Sequence, residues 1–236
     1  MSNPGILAQR RQGGGGPIPL PGPEQTVDFI AGSYLNQTNA TNSRSLVLPG
    51  SGTMAVGDLM TVTVYHNGAV TAPSGWTLYL AVPGSGTFLS VYTKTAVAGD
   101  IGANMTWTQS VSANFTVHYT VFRGAQPLSV LANATANGTT AETNLAMPET
   151  SPTRKGQYLL NVLSRVAANN AFPATLTYSA GWDVKSATSE SSLPIRKTLA
   201  IREAVNEGDT AATLSMTPVS GSPSWRAAQL LIGYTP

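Results

Sequence analysis

"GDLMTVTVYHNG", residues 57–68, decides the fold. Gly57-Asp58 and Asn67-Gly68 are turn-forming pairs, and between them Met60, Val62 and Val64 alternate with Thr61 and Thr63. Period-two alternation bounded by turn residues predicts a half-buried antiparallel strand. "FTVHYTV" (115–121) repeats the pattern with Phe115, Val117, Tyr119 and Val121. Beyond residue 25 the chain consists of short segments rich in Val, Thr, Leu and Tyr, separated by Gly, Pro, Asn and Ser. A spacing of about ten residues between such segments predicts an all-β sandwich or barrel. One short helix is expected, within residues 1–11.

The β region is written twice. Pro49, Gly57, Gly75-Trp76, Asp100 (closing "KTAVAGD") and Gly124 recur in order as Pro148, Gly156, Gly181-Trp182, Asp209 (closing "REAVNEGD") and Gly233. The separation grows along the chain from 99 residues at Pro49/Pro148 to 109 at Gly124/Gly233, as loop insertions produce. Two related halves in tandem follow, at 26–124 and 125–236, joined by "RGAQP" (123–127), which is too short for a flexible linker. They are expected to pack rigidly or to form one composite sandwich. At the shared landmarks, a glycine before Trp76 and before Trp182 permits a sharp turn, and the ring plugs the sandwich end. Asp100 and Asp209 are placed to accept backbone amides in Asx-type turns.

Hydrophobic residues make up 42% of the 236 and charged residues only 10%, against the usual quarter. The surface must therefore be wetted by Ser, Thr, Asn and Gln, and tolerates packing against copies of itself. Net charge is +2 and the basic residues come in isolated pairs (Arg10-Arg11, Arg154-Lys155, Arg196-Lys197), so the electrostatic footprint of nucleic-acid binding is missing. There is no cysteine, hence no disulfide and no thiolate metal site. No apolar run reaches a membrane span, and "MSNPGILAQRR" lacks the apolar core of a signal peptide, which predicts a protein made in the cytoplasm.

A search for chemistry returns no catalytic, cofactor-binding or metal-ligating set. The two histidines are separated by strand parity: His66 goes with the inward Met60, Val62 and Val64, while His118 alternates against Val117 and Tyr119 and is expected outward. No nucleophile elbow, phosphate loop or calcium-loop spacing occurs. A paired-carboxylate glycosidase remains a third reading, because such pairs meet in space and not in sequence. Phe88 and Tyr92, on a parity shared with Ser90 and Lys94, and Trp107 and Trp225, which have no repeat partner, are the candidates for glycan or partner contact. The alternative for these rings is packing between the halves.

Residues 1–25 form an extended Gly/Pro-rich arm, including "GGGG" (13–16) and Pro17, Pro19, Pro21 and Pro23. Ordering such chain costs roughly 1–2 kcal/mol per residue and its own apolar groups offset little of that. The arm is expected to anchor on a neighbouring subunit through Arg10, Arg11, Pro17, Ile18, Pro19 and Leu20.

"GDLMTVTVYHNG" (57–68), "APSGWTLYL" (72–80), "YTKTAVAGD" (92–100), "VFRGAQPL" (121–128) and "AAQLLIGYTP" (227–236) together resemble a β-rich module of tailed-bacteriophage virion proteins. The resemblance spans about residues 26–236. It implies a jelly-roll-like β-sandwich without catalysis, in a tail fibre, minor tail or capsid-decorating protein, and the virion as location. The resulting expectation is a non-catalytic, tail-associated appendage held by its arm, with a capsid decoration on the head or a module binding host-surface glycan as alternatives. A homo-oligomer, taken as a trimer, and other virion proteins are the expected partners.

Overall fold

The computed structural model describes residues 20, 23–34, 40–84, 87–139, 144–166, 176–189, 195–206, 209–210, 212–216 and 224–236. Among them are sixteen strands and one short 3-10 turn (Ala98–Asp100). The first eight strands are β1 (Val27–Tyr34), β2 (Thr41–Val47), β3 (Leu59–His66), β4 (Val70–Thr71), β5 (Thr77–Val82), β6 (Phe88–Thr95), β7 (Asn104–Ala113) and β8 (Thr116–Gly124). The second eight are β9 (Leu128–Gly138), β10 (Asn144–Ala146), β11 (Gln157–Val166), β12 (Leu176–Tyr178), β13 (Asp183–Ser189), β14 (Ile195–Ala204), β15 (Thr213–Met216) and β16 (Ser224–Tyr234).

All pairings are antiparallel. In the first eight strands the order is β1-β8-β3-β6-β5 in one sheet and β2-β7-β4 in the other. This is jelly-roll wrapping, with β5 hydrogen-bonded to β6 and so carried on the larger sheet. The second eight give β9-β16-β11-β14-β13 and β10-β15-β12, the same order strand for strand.

Three apolar cores make the molecule four sheets thick. Leu46, Trp107 and Met105 of the small sheet meet Met60, Val62, Tyr92, Val117 and Val121 of the large one. Leu145, Tyr178 and Ala212 meet Leu159, Leu163, Ala200 and Leu231 in the second half. Between the halves the two large sheets face each other, with Leu59, Leu89, Val91 and Phe122 against Leu160, Val162, Leu199, Leu230 and Ile232. β1 lies against β13 and β5 against β9, as an approximate two-fold relation between the halves requires. Every residue of β3 is buried for this reason: Met60, Val62 and Val64 fill the sandwich, and Thr61, Thr63 and Tyr65 lie in the seam.

Burial on both faces corrects the parity readings. His118 is 5% exposed, because its face of β8 meets the other half and not water. Phe88, Ser90 and Tyr92 line the inner face of their own sandwich, while Leu89 and Val91 take the seam. Strand register also corrects the last landmark: Phe122 pairs with Leu59 and Ile232 with Tyr158, so Tyr234 stands in the place of Gly124, and Gly233 in that of Arg123.

The short helix expected within 1–11 lies outside the described residues, as do Arg10, Arg11, Pro17, Ile18 and Pro19. Leu20 is described, and it corrects the anchoring expectation at that position. It is buried in the chain's own second core, and its N–H donates to the Val205 carbonyl at 3.2 Å.

Candidate functional site

The charged side chains best placed for chemistry gather at loop ends, and the two halves arrange them alike. Asp100 accepts the Val97 N–H at 2.9 Å with one carboxylate oxygen and Lys94 Nζ at 2.6 Å with the other. Lys94 lies across Gly75, where an added Cβ would come within 3.0 Å of its Cε, and also donates to the Ser74 carbonyl at 3.4 Å. In the second half, Asp209 accepts the N–H groups of Val205 and Asn206, both at 2.7 Å, and the Arg202 guanidinium. Arg202 lies across Gly181 and reaches the Ala180 carbonyl at 3.4 Å. Each clasp ties the turn before a tryptophan to the turn that ends the second strand after it. Trp76 and Trp182 are thereby held in their cores at 8% and 9% exposure.

A third carboxylate has no such counterpart. Asp58 binds Arg123 through Nε and Nη2, both at 2.7 Å, and accepts the Ala55 N–H at 2.8 Å. In the second half Gln157 replaces Asp58 and accepts the Thr153 and Arg154 N–H groups. Gly233, in the place of Arg123, leaves room that Gln25 enters from the segment before β1. Gln25 Oε1 accepts the Tyr234 N–H at 2.9 Å, and its own N–H donates to the Lys155 carbonyl at 2.8 Å. Its carbonyl lies against Gly156, while the corresponding Gly57 has nothing within 4 Å of an added Cβ. The first half keeps an open groove there of about 340 Å³, bounded by Val56, Gly57, Asp58, Arg123 and Gln126.

All three aspartates thus have both oxygens occupied by N–H or cationic donors. His66 is similarly committed. Its Nδ1–H donates to the Gly68 carbonyl at 2.7 Å, its Nε2 accepts from Ser90 Oγ at 2.8 Å, and burial holds its pKa below the usual imidazole value. Among the described residues no group of three or more His, Asp or Glu is placed to hold a metal ion. No family model, no curated protein and no solved structure matches the chain.

The four aromatic candidates form no common surface, and three are inaccessible. Trp107 is fully buried inside the first sandwich, edge-on to Trp76 at 5.4 Å and to Tyr92 at 5.0 Å. Tyr92 is 7% exposed, and Trp225, also 7%, belongs to the second core. Neither Trp107 nor Trp225 lies between the halves. Phe88 alone is part-exposed, stacked on His66 at 5.3 Å. No sugar-stacking surface forms at Tyr92, Trp107 and Trp225: β6 and β16 have no free face, and Trp107 points into the core from β7, whose outer face is the exposed one.

Sequence reasoning expected the halves to pack together but did not place the residues of the seam. Thr63, Tyr65, His118 and Ser164 line a cavity of about 10 Å³ there, at the lower limit for one water. Thr61 and Thr120 pair their hydroxyls at 2.5 Å. Arg226, 2% exposed, projects onto Gly84 from the other sheet, and burial pulls its pKa down. The available signal was "SWRAAQLLIGY" (224–234), where Arg226 shares strand parity with Ala228, Leu230 and Ile232.

Proposed function

We propose that the protein is a non-catalytic structural component of a bacteriophage particle, two duplicated jelly-roll modules fused into one rigid body, working as a tail-associated appendage. The observation that carries the non-catalytic part is the use of Asp58, Asp100, Asp209 and His66. Each is consumed in holding a turn, and none presents a free oxygen or nitrogen to a cleft. The virion part rests on the motif resemblance together with the jelly-roll order of the sheets. The arm is the attachment device, and its contact with a neighbouring subunit involves the residues ahead of Leu20, since Leu20 and Gln25 are seated on their own chain.

The capsid-decoration reading uses the same rigid body and arm. A tag placed after Pro236, followed by gold-labelled antibody on purified particles, separates the two. Label on the tail supports the appendage, label over the head supports decoration, and particles free of label overturn the virion assignment. The glycan-binding reading is tested by titrating the full chain with host-surface polysaccharide. Binding that survives substitution of Phe88 would require another surface than the one the sequence singled out.

A further inference from the structure

Eight strands stand at sheet edges among the described residues, and seven are blunted in ways that discourage pairing with another chain. β4, β10 and β12 are only two or three residues long. β1 carries Asp28 and a register break after Phe29, and β13 carries Asp183, Lys185 and a break after Val184. β2 carries Arg44 and a break after Thr41, and β5 breaks after Leu78 and runs into Pro83.

β9 is the exception. Its one irregularity lies at Leu131, and from Ala132 to Gly138 it pairs without interruption with β16, from Leu231 to Trp225. "ANATANG" (132–138) contains no charge and no proline. Ala132 and Ala136 pack on the second core, whereas Asn133, Thr135 and Asn137 are exposed. Nothing described pairs with the outer side of this strand. The chain's own arm is a poor occupant: the Leu20 N–H is already given to Val205, and the alternate residues Pro17, Pro19, Pro21 and Pro23 have no N–H to give.

We propose that β9 pairs antiparallel with β9 of a second copy of this chain, joining two five-stranded sheets into one of ten across a two-fold axis. An antiparallel pair of identical strands is self-complementary. Centred on Thr135, it sets Thr135 opposite Thr135 and Asn133 opposite Asn137, with no like-charge contact. The resulting assembly is a dimer, in place of the trimer expected from the sequence, and it stands apart from the virion reading.

The test is sedimentation equilibrium of the full chain across a concentration series, with Thr135→Lys and Thr135→Val. Lysine at 135 puts two like charges directly opposite. A dimer is expected for the parent and for Thr135→Val, with at least about ten-fold weaker association for Thr135→Lys and equal melting temperatures at concentrations where both are monomeric. A parent that stays monomeric overturns the inference, as does a folded Thr135→Lys that still dimerises. Should Thr135→Lys not fold, hydrogen exchange of the parent decides. Amides of 132–138 whose protection rises with protein concentration support the pairing, and concentration-independent protection refutes it.

Discussion

Gly57 and Gly156 offer a matched pair of substitutions within one molecule. They occupy corresponding turns, with φ of +94° and +82°, and both donate their N–H to the end of the neighbouring strand at 2.9 Å (Ala96 and Ala204). Alanine in the left-handed region costs about 1–2 kcal/mol, reduced by the lower entropy of the unfolded alanine chain. For Gly57→Ala that is the whole cost, since nothing lies within 4 Å of the new Cβ. At Gly156 the new Cβ would overlap the Gln25 carbonyl, so the segment before β1 must leave its seat.

Leaving forfeits the Gln25 N–H to Lys155 and Tyr234 N–H to Gln25 bonds and uncovers a residue that is 5% exposed. At roughly 1 kcal/mol per bond, with a smaller share for the lost cover, Gly156→Ala should exceed Gly57→Ala by about 2–3 kcal/mol. Urea unfolding followed by tryptophan fluorescence measures both. Gln25→Ala should be destabilising in the parent and nearly silent beside Gly156→Ala, because the seat is already lost. Equal costs at the two glycines, within about 0.5 kcal/mol, would refute the seating of Gln25 and with it the difference drawn between the halves.

Two further outcomes follow from buried groups. Burial pushes the Tyr65 hydroxyl up to about 12, against the smaller opposing effects of the Thr87 hydrogen bond and the Arg226 charge. The unfolded phenol ionises first, near 10, so its contribution is intact below that and is lost as pH rises toward 12, by about 2–3 kcal/mol in all. Alkaline melts of Tyr65→Phe should show a shallower fall over that window, and an unchanged slope would exclude Tyr65 as its source. Trp107→Ala should cost about 3–5 kcal/mol in the urea titration. Trp107→Phe should cost far less, because it also removes a buried indole N–H that has no acceptor among the described residues.

The fold was legible where a residue type answers to backbone geometry. Glycines at positive φ, the tryptophans that follow two of them and the aspartates that collect loop amides carried the repeat reading, since few other residues do those jobs. Lys94 and Arg202 do one job with two residue types, and that equivalence was invisible until both lay across a glycine. The faces were misjudged because alternation of Thr with Val reports a difference in polarity and not exposure. Thr61 remains buried at no great penalty by pairing with Thr120. Gln25 escaped notice because the slot it fills is created by Gly233, more than two hundred residues away.

The scarcity of charge admits a sharper account than a surface generally suited to self-packing. β3, β8 and β16 are buried on both faces, and an unpaired charge on either would face another sheet. Their lack of carboxylates follows from the four-sheet stack alone. Where a cation does enter the seam, at Arg226, burial weakens its hold on the proton. β9 does not fall under that explanation. Asn133 and Asn137 reach solvent while also donating to the Tyr79 hydroxyl at 3.3 Å and the Pro83 carbonyl at 3.4 Å. Thr135 between them is exposed, where lysine or glutamate would be tolerated as Asp28 and Lys185 are on the other edges. Once the seam accounts for the inner strands, β5, β7 and β9 are still neutral along exposed positions. Of these, β7 is flanked on both sides and β5 is broken after Leu78 and runs into Pro83, whereas β9 is an unbroken edge over 132–138. A second copy lying along it supplies a cause.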